Sequence, residues 1–181
     1  MVTHSDRLTV NDYLAGEESQ GRQGLIWGAM LHEPAPTYAH QAIVTRAVVL
    51  LDEHTREHRL GRVCVSPLDV VLDELRALVV QPDVVFISNE RAAILRNQVW
   101  GAPDLVVEVE SPGTRRRDRT VKLGWYQQYG VREYWLIDPV DATIAVVTLE
   151  GKRTRHRFKG TQPIRSVVLP ALHPAAAEFF V

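Results

Sequence analysis

The spacing of apolar residues predicts three helices. The longest extends from about Tyr38 to Arg59, where apolar residues recur on one helical face. Those positions are Ile43, Val44, Ala47, Val48, Leu50 and Leu51. A short helix is predicted after Thr9, whose hydroxyl should cap it, with Asp12 in the first turn. A third, TVKLGWYQQYG, should end at Gly130, the residue type that most often terminates helices.

Strand-like segments occupy most of the remaining chain. RVCVSP, DVVLD, LVVQPDVVFIS, GAPDLVVEVE and REYWLIDP are rich in β-branched residues and are bounded by turn formers. LIWGAML predicts one short strand, SPGTRRRDR a basic turn, and TIAVVTLEGK with RTRHRFKG a hairpin around Glu150 and Gly151. This order of elements predicts an α/β fold with a mixed sheet rather than repeated βαβ units.

Length and composition indicate a soluble globular chain that forms a single domain over residues 1–181. It has 181 residues, of which 45% are hydrophobic and 24% charged, and a net charge of -1. The overall charge therefore identifies no partner, and any electrostatic site must be local. The single cysteine, Cys64, allows no internal disulfide, and no apolar run is long enough to span a membrane. These features predict a cytoplasmic protein with no membrane association.

The segment GAPDLVVEVESPG carries three carboxylates at even spacing: Asp104, Glu108 and Glu110. Side chains alternate along a strand, so all three should point to one face. Carboxylates among valines are costly to bury unless a cation lies beside them. Lys122, one of only three lysines, lies on the predicted helical face that also carries Tyr126. We therefore expect its ammonium to reach one of the three carboxylates.

A second Pro-Asp pair places Asp83 at the start of another strand-like segment. If the two strands are neighbours, Asp83 joins the same acidic group, and oxygens from two strands suit a hard divalent cation. Four arginines, Arg115, Arg116, Arg117 and Arg119, precede the third helix, where positive charge opposes the helix dipole. They predict either a solvated turn or a surface that binds nucleic-acid phosphates.

The segments PDVVFISNER and GAPDLVVEVESPGTRRRDRTVKLGWYQQYGVREYWLIDP resemble the Uma-two family of proposed restriction endonucleases. That family is part of the PD-(D/E)xK nuclease superfamily. The resemblance implies a restriction-endonuclease-like αβββαβ core with a mixed sheet and extra N-terminal strands. It also implies Mg2+-dependent (or Mn2+-dependent) cleavage of DNA.

The resemblance also implies roles for individual residues. Asp83, Glu108 and Lys122 match the catalytic positions, and Asp83, Asp104 and Glu108 would hold the metal. Glu110 occupies the position of the tripeptide lysine, and we expect it to be solvated. Lys122 matches a helix lysine that replaces the tripeptide lysine in many relatives.

The chain departs from the family pattern before the long helix. Relatives carry acids in a YELIDGE-like segment, whereas this chain reads QGLIWGA, with Gly24, Trp27 and Ala29 in their places. This favours an alternative in which a catalytically silent protein binds nucleic acid or protein through the same fold. A hydrolase of small phosphoesters is a further alternative. The expected partner is DNA, and a homodimer is left open.

Overall fold

The structure, a computed structural model, describes residues 7–16 and 21–180. In chain order these residues form the strands β1 (Gln23–Ile26), β2 (Ala29–His32), β3 (Gly61–Val65), β4 (Val70–Asp73), β5 (Leu78–Val80), β6 (Val84–Ser88), β7 (Val99–Trp100), β8 (Leu105–Val109), β9 (Glu133–Asp138), β10 (Thr143–Thr148) and β11 (Thr154–Lys159). The α-helices are α1 (Val10–Leu14), α2 (Tyr38–Glu57), α3 (Arg115–Arg117) and α4 (Leu123–Tyr129). The π-helical turn Asp118–Lys122 joins α3 to α4, and 3-10 helices cover Asn89–Ile94 and Ala176–Phe179.

The six-stranded sheet has the order β11-β10-β9-β8-β6-β3. Its neighbours are antiparallel except for β8 and β9, which are parallel. The parallel connection is made by residues 115–129, which we call the site helix. Together α2, β3, β6, β8, the site helix and β9 give the αβββαβ order, so the predicted fold class is confirmed.

A second sheet of five strands has the order β2-β1-β5-β4-β7 and supplies the extra N-terminal strands. Helix α2 packs on one face of the six-stranded sheet, where Ala47 and Leu51 belong to the same core cluster as Val107 and Trp135. The other face, the site helix and the five-stranded sheet share a second cluster. Within the described residues, no helix has the length and apolar character needed to cross a membrane.

Three predicted elements differ in the structure. LIWGAML is not one strand, because Trp27 and Gly28 have positive φ and turn the chain between β1 and β2. Likewise, LVVQPDVVFIS divides into β5 and β6 at Gln81 and Pro82. The predicted basic turn is helical from Arg115 onward, so the site helix begins within the arginine run.

Candidate active site

Asp83 and Glu108 lie opposite each other on neighbouring strands. Val84 pairs with Val107 in the antiparallel β6–β8 ladder, and continuing that register by one residue sets Asp83 against Glu108. The Asp83 carboxylate also accepts a hydrogen bond of 2.7 Å from the Val109 amide on β8. Both acids are about 2% exposed. The two Pro-Asp segments therefore bring their carboxylates together as the sequence predicts.

Glu108 is held from the site helix by two donors. Its Oε1 accepts hydrogen bonds from Lys122 Nζ at 3.0 Å and from the Tyr126 hydroxyl at 2.8 Å. Burial raises the pKa of Glu108 to about 7; Lys122 acts against this shift, and the charges of Asp83 and Asp118 add to it. Lys122 therefore favours the ionised form of Glu108 against the cost of its burial.

Lys122 lies between two carboxylates, of which Glu108 was among the predicted partners and Asp118 was not. Its Nζ is 3.0 Å from Glu108 Oε1 and 3.1 Å from Asp118 Oδ1, and the residue is 5% exposed. Burial lowers the pKa of Lys122, but the charges of Glu108 and Asp118 outweigh it and the net shift is upward. Lys122 is therefore a fixed cation.

A second cation, the Arg22 guanidinium, lies directly on Asp83. Arg22 Nη1 is 2.6 Å from Asp83 Oδ1, and its Nη2 donates to the Gln81 carbonyl. His40 Nε2, from the first turn of α2, is 3.3 Å from Asp83 Oδ2. Burial raises the pKa of Asp83, but the His40 hydrogen bond and the Arg22 charge bring it below its usual value. The Asp83 carboxylate is thus ionised, and the Arg22 guanidinium balances its charge.

Glu33, immediately after β2, adds a further acid on the far side of Arg22. Its Oε2 is 3.8 Å from Arg22 Nε, and its Oε1 accepts from Arg117. Burial lowers the pKa of Arg22, whereas the charges of Asp83, Glu108 and Glu33 raise it, and the net shift is upward. A cavity of about 330 Å³ opens beside this group and is lined by Arg22, Glu33, His40, Asp83, Glu108 and Lys122, among others.

Asp104 does not join the group, which corrects its predicted place among the metal ligands. It precedes β8, four residues before Glu108, or about 13 Å along an extended strand. Its carboxylate instead accepts from the Ser88 amide at 2.7 Å and pairs with Arg132 at 3.2 Å and Arg91 at 3.5 Å. Asp104 thus secures the far end of the β6–β8 pair.

Glu110 is buried rather than solvated, which corrects a second expectation. It is 3% exposed, and both of its oxygens accept hydrogen bonds of 2.6 Å from Arg119. Arg119 and Arg115 also pair with Asp138 at the end of β9, at 2.9 and 2.7 Å. These pairs fasten the start of the site helix to the ends of β8 and β9.

The arginines proposed to bind nucleic acid are largely engaged with carboxylates. Arg115 and Arg119 pair with Glu110 and Asp138, and Arg117 pairs with Glu33, whereas Arg116 is exposed. These ion pairs balance three of the four cations at the N-terminus of the site helix, where positive charge opposes the helix dipole. A phosphate would have to compete with them, so the binding role of this run stays a prediction.

The carboxylate oxygens of the group suit a hard divalent cation, but among the described residues the structure brings only two such carboxylates together. Within residues 7–16 and 21–180, no three His, Cys, Asp or Glu side chains are grouped to hold a metal ion. Asp83 and Glu108 supply two carboxylates, and Mg2+ often binds proteins through one or two carboxylates, with water and substrate phosphate completing its shell. The Arg22 guanidinium already lies on Asp83, so a cation bound by this pair would have to displace it.

Sequence reasoning missed four members of the group: Arg22, Glu33, His40 and Asp118. Arg22 and Glu33 flank the hairpin that was predicted as one strand, so their proximity had no visible basis. His40 lies in the first turn of α2, and nothing in the sequence relates it to Asp83. Asp118 had a usable signal, since it lies four residues before Lys122 and such residues share a helical face.

Comparisons with known proteins agree with this architecture. A model of the Uma2 family, described as "Putative restriction endonuclease", matches residues 10–177. A crystal structure of a "putative nuclease" belonging to DUF820 from Anabaena variabilis ATCC 29413 is similar, with a TM-score of 0.80 and 21% sequence identity. The alignment covers 96% of this chain and 97% of that one, which shows a shared fold. No curated protein matches the sequence.

Proposed function

The chain belongs to the Uma2 family, and from this membership and the buried Asp83–Glu108 pair we propose that it is an endonuclease that hydrolyses DNA phosphodiesters with Mg2+ or Mn2+. Asp83 and Glu108 would hold the cation between β6 and β8. When bound, the cation would lower the pKa of a coordinated water and offset charge on the phosphate.

Each residue of the group has a distinct proposed role. Glu108 would hold the metal through Oε2, because Lys122 and Tyr126 both donate to Oε1 and fix the carboxylate plane. The Lys122 ammonium would stabilise the negative charge that develops on the reacting phosphate. His40 would orient Asp83, since its Nε2 lies beside Asp83 Oδ2. We place the phosphate that is cleaved in the 330 Å³ cavity that these side chains line.

The observation that carries the proposal is the register of the β6–β8 ladder. It sets two buried carboxylates side by side with a buried lysine 3.0 Å from one of them. Burying this charge is costly, and a less charged core of similar shape would be as stable or more so. The cost supports a functional use of the carboxylates over a structural one.

Purified protein incubated with plasmid DNA tests this proposal. We expect nicking or cutting in Mg2+ or Mn2+, none in EDTA, and loss of cleavage in Glu108→Gln, which keeps the shape but removes the charge that holds the cation. Asp104→Asn is the matched control, since it removes a buried carboxylate outside the group. Cleavage that persists undiminished in Glu108→Gln would contradict the proposed site.

One observation favours the alternative of a catalytically silent protein. Arg22 already balances the charge of Asp83, and the family resemblance implies a glutamate at the position that Gly24 occupies. In that case the protein would bind nucleic acid or protein through the same fold, and the buried charged cluster would only stabilise that fold. Absence of cleavage on every DNA tested, together with absence of Mn2+ binding, would favour this alternative.

A further inference from the structure

A strongly basic segment follows β10, far along the sequence from the residues discussed so far. Between Glu150 and Glu178 the chain contains no Asp or Glu. The same stretch holds six basic residues: Lys152, Arg153, Arg155, Arg157, Lys159 and Arg165. The chain as a whole has a net charge of -1, so this concentration of positive charge is a local feature that requires its own explanation.

Half of these basic residues lie on β11, the edge strand of the six-stranded sheet. Arg155, Arg157 and Lys159 are all exposed and alternate along the strand, so they share one face, which we call the β11 basic face. None of the three has a carboxylate partner within the part of the chain that the structure describes. This distinguishes them from Arg115, Arg117 and Arg119, whose charges are matched by acids.

The β11 basic face is the face of the sheet that carries the carboxylate pair. Glu108 pairs with Leu136, Leu136 with Ala145, and Ala145 with Arg157 across successive strands. Residues paired in this way point to the same face of a sheet. Leu136 and Ala145 pack with Tyr126 in one core cluster, which places this row on the side of the site helix.

The β11 basic face lies close enough to Glu108 for one DNA molecule to contact both. Arg157 is three strands from Glu108, or about 14 Å at the usual strand spacing. Lys159 lies at the same end of the sheet as Asp138, because Thr143 pairs with both. The basic face therefore flanks the end of the sheet at which Glu108 lies.

We propose that the β11 basic face binds the phosphate backbone of the DNA whose cleavage is proposed above, and that it carries more of the binding than the arginines before the site helix. The inference rests on the proposed function for the identity of the polyanion. Unpaired cations gain most from a phosphate, because no carboxylate must be displaced, whereas the paired arginines would first lose theirs.

Nucleic acid explains the arrangement better than an acidic protein does. Arg155 and Arg157 offer planar guanidinium groups that bind phosphate oxygens through two hydrogen bonds. Alternate strand residues are about 7 Å apart, which forms a regular row of cations suited to a regular row of charges. Contacts of this kind attract any DNA sequence and depend strongly on salt.

Fluorescence anisotropy of a labelled DNA duplex in EDTA measures this binding without cleavage. The test variant is Arg155→Gln with Arg157→Gln and Lys159→Gln. We expect it to weaken binding at least tenfold. The slope of log K against log salt should fall by up to about 3, since each lost phosphate contact removes about 0.9.

A matched control removes the same charge at the opposite edge of the sheet. Arg56→Gln, Arg59→Gln and Arg62→Gln change three exposed arginines at the end of α2 and on β3. We expect this variant to bind DNA within about twofold of the wild type and with the same salt slope. Far-UV circular dichroism and melting temperature check both triple variants, and the single Arg157→Gln provides a smaller change with the same expected direction.

Each outcome bears on the proposal. Selective loss in the β11 variant supports it. Equal loss in both triple variants, or wild-type affinity in the β11 variant, overturns it, while metal-dependent cleavage by the wild type would leave the proposed function standing. Polyglutamate bound more tightly than DNA would assign the surface to an acidic protein and also overturn it. If the wild type binds no DNA, the inference fails, and the plasmid assay separately decides the proposed function.

Discussion

Two cations of the site, the buried Lys122 and the part-buried Arg22, balance different carboxylates, and each has a consequence that can be measured. Lys122 is the counter-charge of Glu108 and Asp118, whereas Arg22 is the counter-charge of Asp83. Removing a buried cation leaves its carboxylates uncompensated, which costs more than the ion pair itself contributes. We therefore expect removal of Lys122 to change mainly the free energy of unfolding, and removal of Arg22 to change mainly the affinity for the metal.

For Lys122→Met we expect a loss of about 3–5 kcal/mol in the free energy of unfolding, because two buried carboxylates lose their cation. Adding Asp118→Asn should recover about 1 kcal/mol or more, since one of the unpaired charges is then removed. Urea denaturation of wild type, single and double variants measures both values. A double variant less stable than Lys122→Met would contradict this pairing.

For Arg22→Met we expect Mn2+ affinity to rise about tenfold, equivalent to about 1.4 kcal/mol, because a positive charge no longer lies on Asp83. Isothermal titration with Mn2+ measures the change. Arg91→Met is the control, since it makes the same charge change beside Asp104 at the far end of β8. Unchanged affinity in Arg22→Met would show that the guanidinium does not compete with the metal.

At the scale of elements, the β3–β6 pair is positioned by a close contact at Gly61. A Cβ at Gly61 would lie 2.1 Å from the Ile87 carbonyl oxygen, whereas a Cβ at Gly124 on α4 meets no atom within 4 Å. β6 leads directly from Asp83, so displacement of this pair would also disturb the site. Position 61 therefore requires glycine because the β6 backbone leaves no room for a side chain, which the sequence around Gly61 does not reveal.

We expect Gly61→Ala to destabilise the protein by about 3 kcal/mol through overpacking against β6. Gly124→Ala should instead stabilise it by about 0.5–1 kcal/mol, because alanine is the better helix former and has open space there. Thermal unfolding of both variants checks the pair. A Gly61→Ala protein as stable as the wild type would contradict the close contact.

Several elements could be predicted from sequence, because their signals are local. Helix α2 follows from apolar spacing, α1 from the capping box of Thr9 and Asp12, and the end of α4 from Gly130. The β1–β2 hairpin was missed because Trp27 adopts positive φ, which is unusual for a residue other than glycine. The start of the site helix was missed because Asp138, one of the acids that pair with its arginines, lies on β9, far along the sequence.

The candidate site was predictable to the extent that it depends on strand alternation. The Asp83–Glu108 pair and the direction of Lys122 follow from Pro-Asp spacing and a helical face. Strand alternation predicts the face to which a side chain points but not its distance from another carboxylate along the strand, so the inclusion of Asp104 was wrong. Arg22 could not be predicted, because its contact with Asp83 depends on how two sheets pack together.

For the whole molecule, we propose that residues 1–181 form a single domain. The support is a core cluster in which Leu78 of the five-stranded sheet packs with Val106 and Tyr126 of the six-stranded sheet and site helix. We expect one cooperative unfolding transition, with far-UV circular dichroism and tryptophan fluorescence coinciding. Two separated transitions would indicate that the sheets belong to independently folding units.

The central claim is that Asp83 and Glu108 together bind a divalent cation. A crystal soaked in Mn2+ tests it most directly, because the anomalous signal locates the ion without reference to activity. We expect an anomalous peak between the two carboxylates, at about 2.0–2.6 Å from an oxygen of each, with the Arg22 guanidinium moved off Asp83. An empty position between them, with Arg22 still bound to Asp83 at saturating Mn2+, would contradict the claim.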